Sequence, residues 1–168
     1  MVAGKPQGVL RYLLHAPVYL YRWHGGRLLG HRFLLLTHVG RRTGQRHQTV
    51  LEVVQYRKVL HEAVVMSGFG RNSDWLLNIQ AMSDVTVTIG AQTFRAQNRF
   101  LSDDEAVEAF RDYERRNRLA HPIIRHVLSR LLGWNYSGSD ADIRKATAQL
   151  PLIAFRPANR QAKAKAES

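Results

Sequence analysis

Hydrophobic and polar positions change period several times along the chain, and each change predicts an element. Residues 8–23 (GVLRYLLHAPVYLYRW) are apolar and aromatic, interrupted by Arg11, His15 and Arg22, which predicts an amphipathic helix with Pro17 as a kink or stop. Gly25, Gly26 and Gly30 break the chain after it. The apolar run Arg32–His38 predicts a buried strand that leads into a loop over Val39–His47. β-Branched and aliphatic residues fill Thr49–Tyr56 and again Val59–Ser67, with Arg57 and Lys58 between them, which predicts a hairpin. A glycine-containing loop, Gly68–Ser73, feeds a short helix over Asp74–Met82, with Ser73 or Asn72 as its N-cap. Clean alternation returns at Asp84–Gly90 and Gln92–Phe100, two strands joined by a tight turn at Gly90 and Ala91. Ser102 and Glu105 form a capping-box pair that opens a helix running to about Arg116. His121–Leu132 reads as a helix with Pro122 in its first turn, Gly133–Asp142 as a loop, Ile143–Gln149 as a weak helix, and Leu152–Phe155 as a final strand.

This order lacks the strand–helix–strand alternation of a parallel nucleotide-binding sheet. It predicts an α+β domain built on a mostly antiparallel sheet or small barrel, with helices packed around it. The 168 residues suit one domain, and 45% hydrophobic content supplies a core. We expect one domain over residues 1–156 and a disordered basic tail over 157–168. The helix at 8–23 either packs on its own domain or lies on a membrane surface, since it is too short to span one. No small-residue cleavage site accompanies it, so the expected location is cytoplasmic, with peripheral contact at the inner face of the plasma membrane as an addition.

Charge sharpens the picture. The net charge is +12, and residues 1–51 hold eight Lys and Arg, five His and no acid before Glu52. Such a face suits an anionic partner: a phosphate-bearing cofactor, nucleic acid or an anionic membrane. No recognition helix or stacking motif stands among the basic residues, so nucleic acid is not expected as a partner. The chain has no cysteine, which excludes thiolate chemistry, iron–sulfur clusters and disulfides. The eight histidines are scattered without metal-ligand spacing, so no metal is expected. There is no nucleophile elbow and no carboxylate pair suited to acid–base work, so no catalytic side chain is assigned, and hard chemistry would fall to a cofactor. Glu52, the one acid in an apolar strand, is expected at the core edge beside an arginine.

Two loops carry the candidate chemistry. In Val39–His47, Gly40 and Gly44 bracket Arg41, Arg42 and Thr43 between two strands. Glycines let a short loop turn backbone N–H groups onto an anion, and adjacent arginines bind phosphate or carboxylate. In Ser67–Ser73, Gly68 and Gly70 flank Phe69 at the start of a helix that carries Trp75 and Asn78. Read from the residues alone, the first loop is a solvated basic turn or an anion site, and Trp75 is a core anchor or a ligand contact. Two such loops at strand ends suggest one elongated anionic ligand.

Thr37–Gln45 (THVGRRTGQ), Val50 with Leu51, and Ser67–Ala81 (SGFGRNSDWLLNIQA) together resemble the nitroreductase-like deazaflavin-dependent oxidoreductases of actinobacteria, over roughly residues 30–105. The resemblance implies a split β-barrel of six strands, related to the flavin-mononucleotide-binding barrels, and an enzyme. It implies coenzyme F420, a 5-deazaflavin with a phosphate, lactyl and oligoglutamate tail, with flavin mononucleotide as the second candidate. By that resemblance Arg41, Arg42, Thr43 and Gly44, extended through Arg46, His47, Gln48 and Thr49, would hold the anionic tail. Ser67, Gly68, Phe69 and Gly70 would line the ring, and Trp75 and Asn78 would brace that loop or touch the cofactor. The implied activity is hydride transfer from reduced cofactor to a small electron-poor acceptor such as a quinone, enone or nitro compound, with Tyr113 and Tyr136 as candidate donors or pocket walls. Two positions depart from the pattern. His47 stands where many relatives have an arginine, so that Arg46 takes over or the tail is held less tightly. Glu52 stands near where nitroimidazole-reducing relatives have a tyrosine. The alternative reading is a non-catalytic or membrane-peripheral protein on the same barrel, binding a cofactor or lipid.

Overall fold

The computed structural model describes residues 30–82 and 84–158. The expected helix at 8–23 and the tail beyond residue 158 lie outside the described residues. Ten elements follow in order: β1 (Phe33–Val39), β2 (Arg46–Arg57), β3 (Glu62–Met66), α1 (Asp74–Ala81), β4 (Thr86–Ile89), β5 (Gln92–Phe100), α2 (Asp103–Arg116), α3 (His121–Leu132), α4 (Asp140–Gln149) and β6 (Leu152–Pro157). The strands close into a barrel in the order β1-β2-β3-β6-β5-β4, and every neighbouring pair is antiparallel. The expected α+β class and six-stranded antiparallel barrel are what is found.

Two apolar layers explain the sequence pattern. Alternation along β1 sends Leu34, Leu36 and His38 inward, and all three are buried. Leu34 and Leu36 join Val53, Val65, Val87, Ile89, Ile153 and Phe155 in the barrel interior. Trp75, Leu76 and Ile79 of α1 complete that interior. A second layer packs α2, α3 and α4 against the outer faces of β2, β3 and β6, through Phe110, Leu128, Leu132, Ile143, Val64 and Leu152. Strands β3 and β6 are covered on both faces, which is why they read as unbroken apolar runs. Full burial of a side chain such as Leu36 contributes about 1.5–3 kcal/mol.

Several boundaries differ from expectation. Strand β2 starts at Arg46, because Arg46, His47 and Gln48 pair with Val39, His38 and Thr37, so the first loop is shorter than Val39–His47. Val59 and Leu60 belong to a 3-10 turn rather than a strand, with Val59 94% exposed; the turn ends on His61 in the left-handed region. Helix α4 begins at Asp140, capped by the Ser139 side chain. Strand β6 continues through Pro157, which pairs with Ala96, and Ala158 N–H donates to Arg95 O at 2.9 Å, so order extends beyond residue 156. The Ser102–Glu105 capping box is present. Glu105 also takes both terminal nitrogens of Arg99 at 2.9 Å, and chiefly that contact lowers its carboxyl to about 2.

Candidate functional site

Between β1 and β2 the chain reverses in six residues. Gly40 N–H donates to Gln45 O and Gly44 N–H to Gly40 O, each at 2.8 Å. Gly44 has φ of +67°, a left-handed conformation that glycine adopts without cost. A Cβ on Gly40 would sit 2.8 Å from both Thr43 Oγ1 and His47 Nε2, so a side chain there would displace these two exposed side chains. Arg42, Thr43 and Gly44 stand in solvent at the tip. Arg41 does not. Its backbone N–H and its guanidinium both donate to Asn78 Oδ1, at 3.1 and 2.8 Å, and the guanidinium also lies 3.5 Å from Asp74 Oδ1. Arg41 therefore ties the loop to α1, where a free surface arginine was expected.

Asn78 is the junction of a polar chain that the sequence did not reveal. Because Oδ1 accepts two bonds from Arg41, the amide nitrogen must face His38 Nδ1, at 3.2 Å. His38 Nδ1 is then the acceptor, so its proton sits on Nε2 and is shared with Thr49 Oγ1 at 3.4 Å. His38 is 3% exposed, and burial, aided by His47 stacked at 5.8 Å, lowers it from 6.5 to about 4. The neutral form is thus the one the network requires at neutral pH. The alternation Leu34, Leu36, His38 was the signal that could have placed this ring inside the barrel mouth.

The second loop is built differently. Ser67 Oγ donates to Gly70 O at 2.7 Å and meets Ser73 Oγ at 2.6 Å, all within the protein. Gly70 has φ of +69°, and a Cβ there would sit 3.3 Å from Gln149 O. Gly68 and Phe69 remain half-exposed, with Leu131 of α3 beside Gly68. Ser73 is the N-cap residue of α1 without a side-chain cap bond, since its hydroxyl is spent on the loop. Both glycine loops therefore meet at α1, one covalently and one through Arg41.

The remaining candidates are dispersed. Trp75 is 8% exposed and tilts against Phe155 at 6.5 Å in the barrel core. Arg46 is exposed and 3.7 Å from Asp84; His47 and Gln48 are exposed on the start of β2. Glu52 accepts from Tyr113 Oη at 2.9 Å rather than from an arginine, and burial followed by that negative charge raises the phenol. Tyr136 is 1% exposed and donates to Glu114 inside the helical layer, which removes it as a pocket wall. Two buried acids escaped the sequence reading: Glu114, 7% exposed, and Glu62, 2% exposed, with Arg57 at 2.9 Å and Arg99 at 3.4 Å. A cavity of about 460 Å³ lies at the far end of α1 against β5 and β6 and is lined by none of these candidates.

A model of the F420H(2)-dependent quinone reductase family matches residues 18–121, more than half of the chain. The chain belongs to the F420H(2)-dependent quinone reductase family. It is an F420-dependent oxidoreductase, and its partner is a small-molecule redox acceptor. No curated protein matches it. Among solved structures it is similar to an F420-H2 dependent reductase, FDR-A, at 16% identity and TM-score 0.49, covering 76% of this chain and 96% of that one. It is also similar to a protein solved as a domain-swapped dimer, at 15% identity and TM-score 0.48, covering 84% and 100%. A third is Atu2129 from Agrobacterium tumefaciens str. C58, of unknown function, at 14% identity and TM-score 0.48, covering 86% and 56%.

The residues of this quinone reductase family member fit an anionic cofactor. The turn offers exposed cations at Arg42 and Arg46, and Gly40 keeps the backbone close where a Cβ would collide. No group of His or acids able to hold a metal ion occurs among the described residues, and no helix there is long and apolar enough to cross a membrane.

Proposed function

We propose that the turn over residues 40–45, the start of β2 and the Gly68–Gly70 loop form one F420 site organised by α1. The observation that carries this reading is the Arg41–Asn78–His38 chain, which locks one arginine of the turn, while Arg42 stands exposed at the tip and Arg46 holds only a solvent-exposed ion pair with Asp84 that a ligand can displace. Arg42 and Arg46 bind the phosphate and carboxylates of the tail; Thr43 and Gly44 shape the turn that presents them. Gly68 and Phe69 border the ring, while Ser67, Gly70, Trp75 and Asn78 hold the two loops in place. Reduced F420 supplies a hydride to an electron-poor acceptor, with quinones the leading class and enones or nitro compounds behind them. The chain itself supplies orientation and exclusion of water, and no side-chain nucleophile is needed.

The wider reading is a nitroreductase-like enzyme of an actinobacterial cytoplasm, one domain whose last strand runs through Pro157, with residues 8–23 in peripheral contact with the inner face of the plasma membrane. Oxidation of reduced F420, followed by absorbance with a naphthoquinone, an enone and a nitroaromatic acceptor in parallel, tests the reading. Turnover fastest with the quinone is the expected result. Tight F420 binding without turnover on any acceptor would favour a non-catalytic carrier.

A further inference from the structure

Helix α3 buries Leu128 and Leu132 against the helical layer and turns its other side outward. That outer side is apolar. Ile123 is 69% exposed and Val127 48%, and Leu119, in the 3-10 turn just before, is fully exposed. The spacing of four places all three on one stripe. Single exposed apolar residues are ordinary, but a stripe of three is not. Its surroundings are equally one-sided. From Arg115 to Ser139 the sequence holds five arginines and two histidines and no acid. Arg118 and Arg130 are exposed and make no ion pair among the described residues, whereas Arg125 leaves the helix on the other side, its guanidinium beside Gly138 and the Glu114 carboxylate. A helix face meant only for water would carry both signs of charge.

We propose that α3 is a membrane-docking helix. Leu119, Ile123 and Val127 enter the interface of an anionic bilayer, and Arg118 and Arg130 meet its phosphates. Charge selects this occupant. A second copy would bring the same arginines against these, and residues 1–29 carry four Lys and Arg and no acid, so either would add like charge to the patch. Nucleic acid would leave the apolar stripe unused. The helix also reaches the candidate site, because Leu131 Cδ1 lies 3.6 Å from where a Cβ on Gly68 would be. Docking by α3 thus sets the Gly68 loop beside the bilayer, where a quinone with an apolar tail resides. That purpose rests on the quinone reading, whereas the docking itself rests on the surface of α3 and makes no use of residues 8–23.

Vesicle flotation of the full chain tests it. The protein should float with phosphatidylglycerol–phosphatidylcholine vesicles and far less with phosphatidylcholine alone. Changing Leu119, Ile123 and Val127 together to Ser should weaken flotation at least about tenfold. Changing Arg118 and Arg130 together to Gln should weaken it by roughly fivefold per charge and flatten its salt dependence. F420 affinity, read by fluorescence, should stay at the wild-type level in the arginine variant, so that a failure of docking and a failure of the cofactor reading are told apart. Wild-type flotation in both variants would overturn the proposal and move membrane contact elsewhere. A wild-type dimer that the serine variant converts to monomer would overturn it in favour of a second copy.

Discussion

Acid should loosen the loop that carries the cofactor cations, and it should do so through one residue. His38 titrates near 4 in the folded chain against 6.5 when unperturbed. The folded pKa is depressed, so the unfolded chain binds the extra proton first. The contribution of neutral His38 is complete above pH 6.5 and is lost as the pH falls from 6.5 toward 4. The difference amounts to about 3 kcal/mol in all, of which about 2 kcal/mol is gone by pH 5. For a domain of this size that is a fall in Tm of about 4–8 °C. Protonation at Nδ1 would set two donors, the imidazolium and the Asn78 amide, against each other, which is the structural form of the same cost. The assay is thermal unfolding from pH 7.5 to 4.5 on wild type and His38→Gln. Glutamine keeps an acceptor for Asn78 and does not titrate. Wild type should lose stability more steeply than the variant below pH 6.5. Parallel curves for the two proteins would refute the reasoning, because the pH dependence would then arise elsewhere.

Other consequences are more local. Arg41→Ala should lower unfolding stability by about 1–3 kcal/mol in urea, since it removes a charged donor to Asn78, so it is not a pure affinity variant. Glu62→Ala should cost about 3–5 kcal/mol by the same measurement, because Arg57 and Arg99 lose the buried carboxylate they share. Gly70→Ala forces a side chain into φ of +69° with Gln149 O at 3.3 Å; calorimetry should show a lower Tm, and a nearby Gly68→Ala should be milder because Leu131 stands at an ordinary 3.6 Å.

Strands with one buried face were legible because their period is two. β1 and β5 were read from alternation or apolar run, and the β5 and α3 limits coincide with expectation. Helix α2 was legible from its cap, since Ser102 and Glu105 satisfy each other locally. What failed was whatever depends on distant partners. Arg46, His47 and Gln48 look like loop because they are polar, yet they are strand because β1 pairs with them. Val59 and Leu60 look like strand because they are apolar, yet they turn in solvent. The His38–Asn78–Arg41 chain joins residues 40 and 37 positions apart, and no local pattern announces such a bond. Glu62 sits beside apolar neighbours and is buried only because Arg57 and Arg99 converge on it. Both glycine loops were visible as loops, but the division of labour between Arg41 and its neighbours was not.

The central claim is that Arg42 and Arg46 hold the anionic tail while Arg41 holds the loop. A fluorescence titration with oxidised F420, run on wild type and on Arg42→Ala with Arg46→Ala, tests it most directly, with flavin mononucleotide in parallel. Wild type should bind F420 saturably and in preference to flavin mononucleotide. The double variant should unfold at the wild-type temperature yet lose about 3 kcal/mol of binding or more, a rise in Kd of at least about 100-fold. Unchanged F420 affinity in a folded double variant would contradict the account.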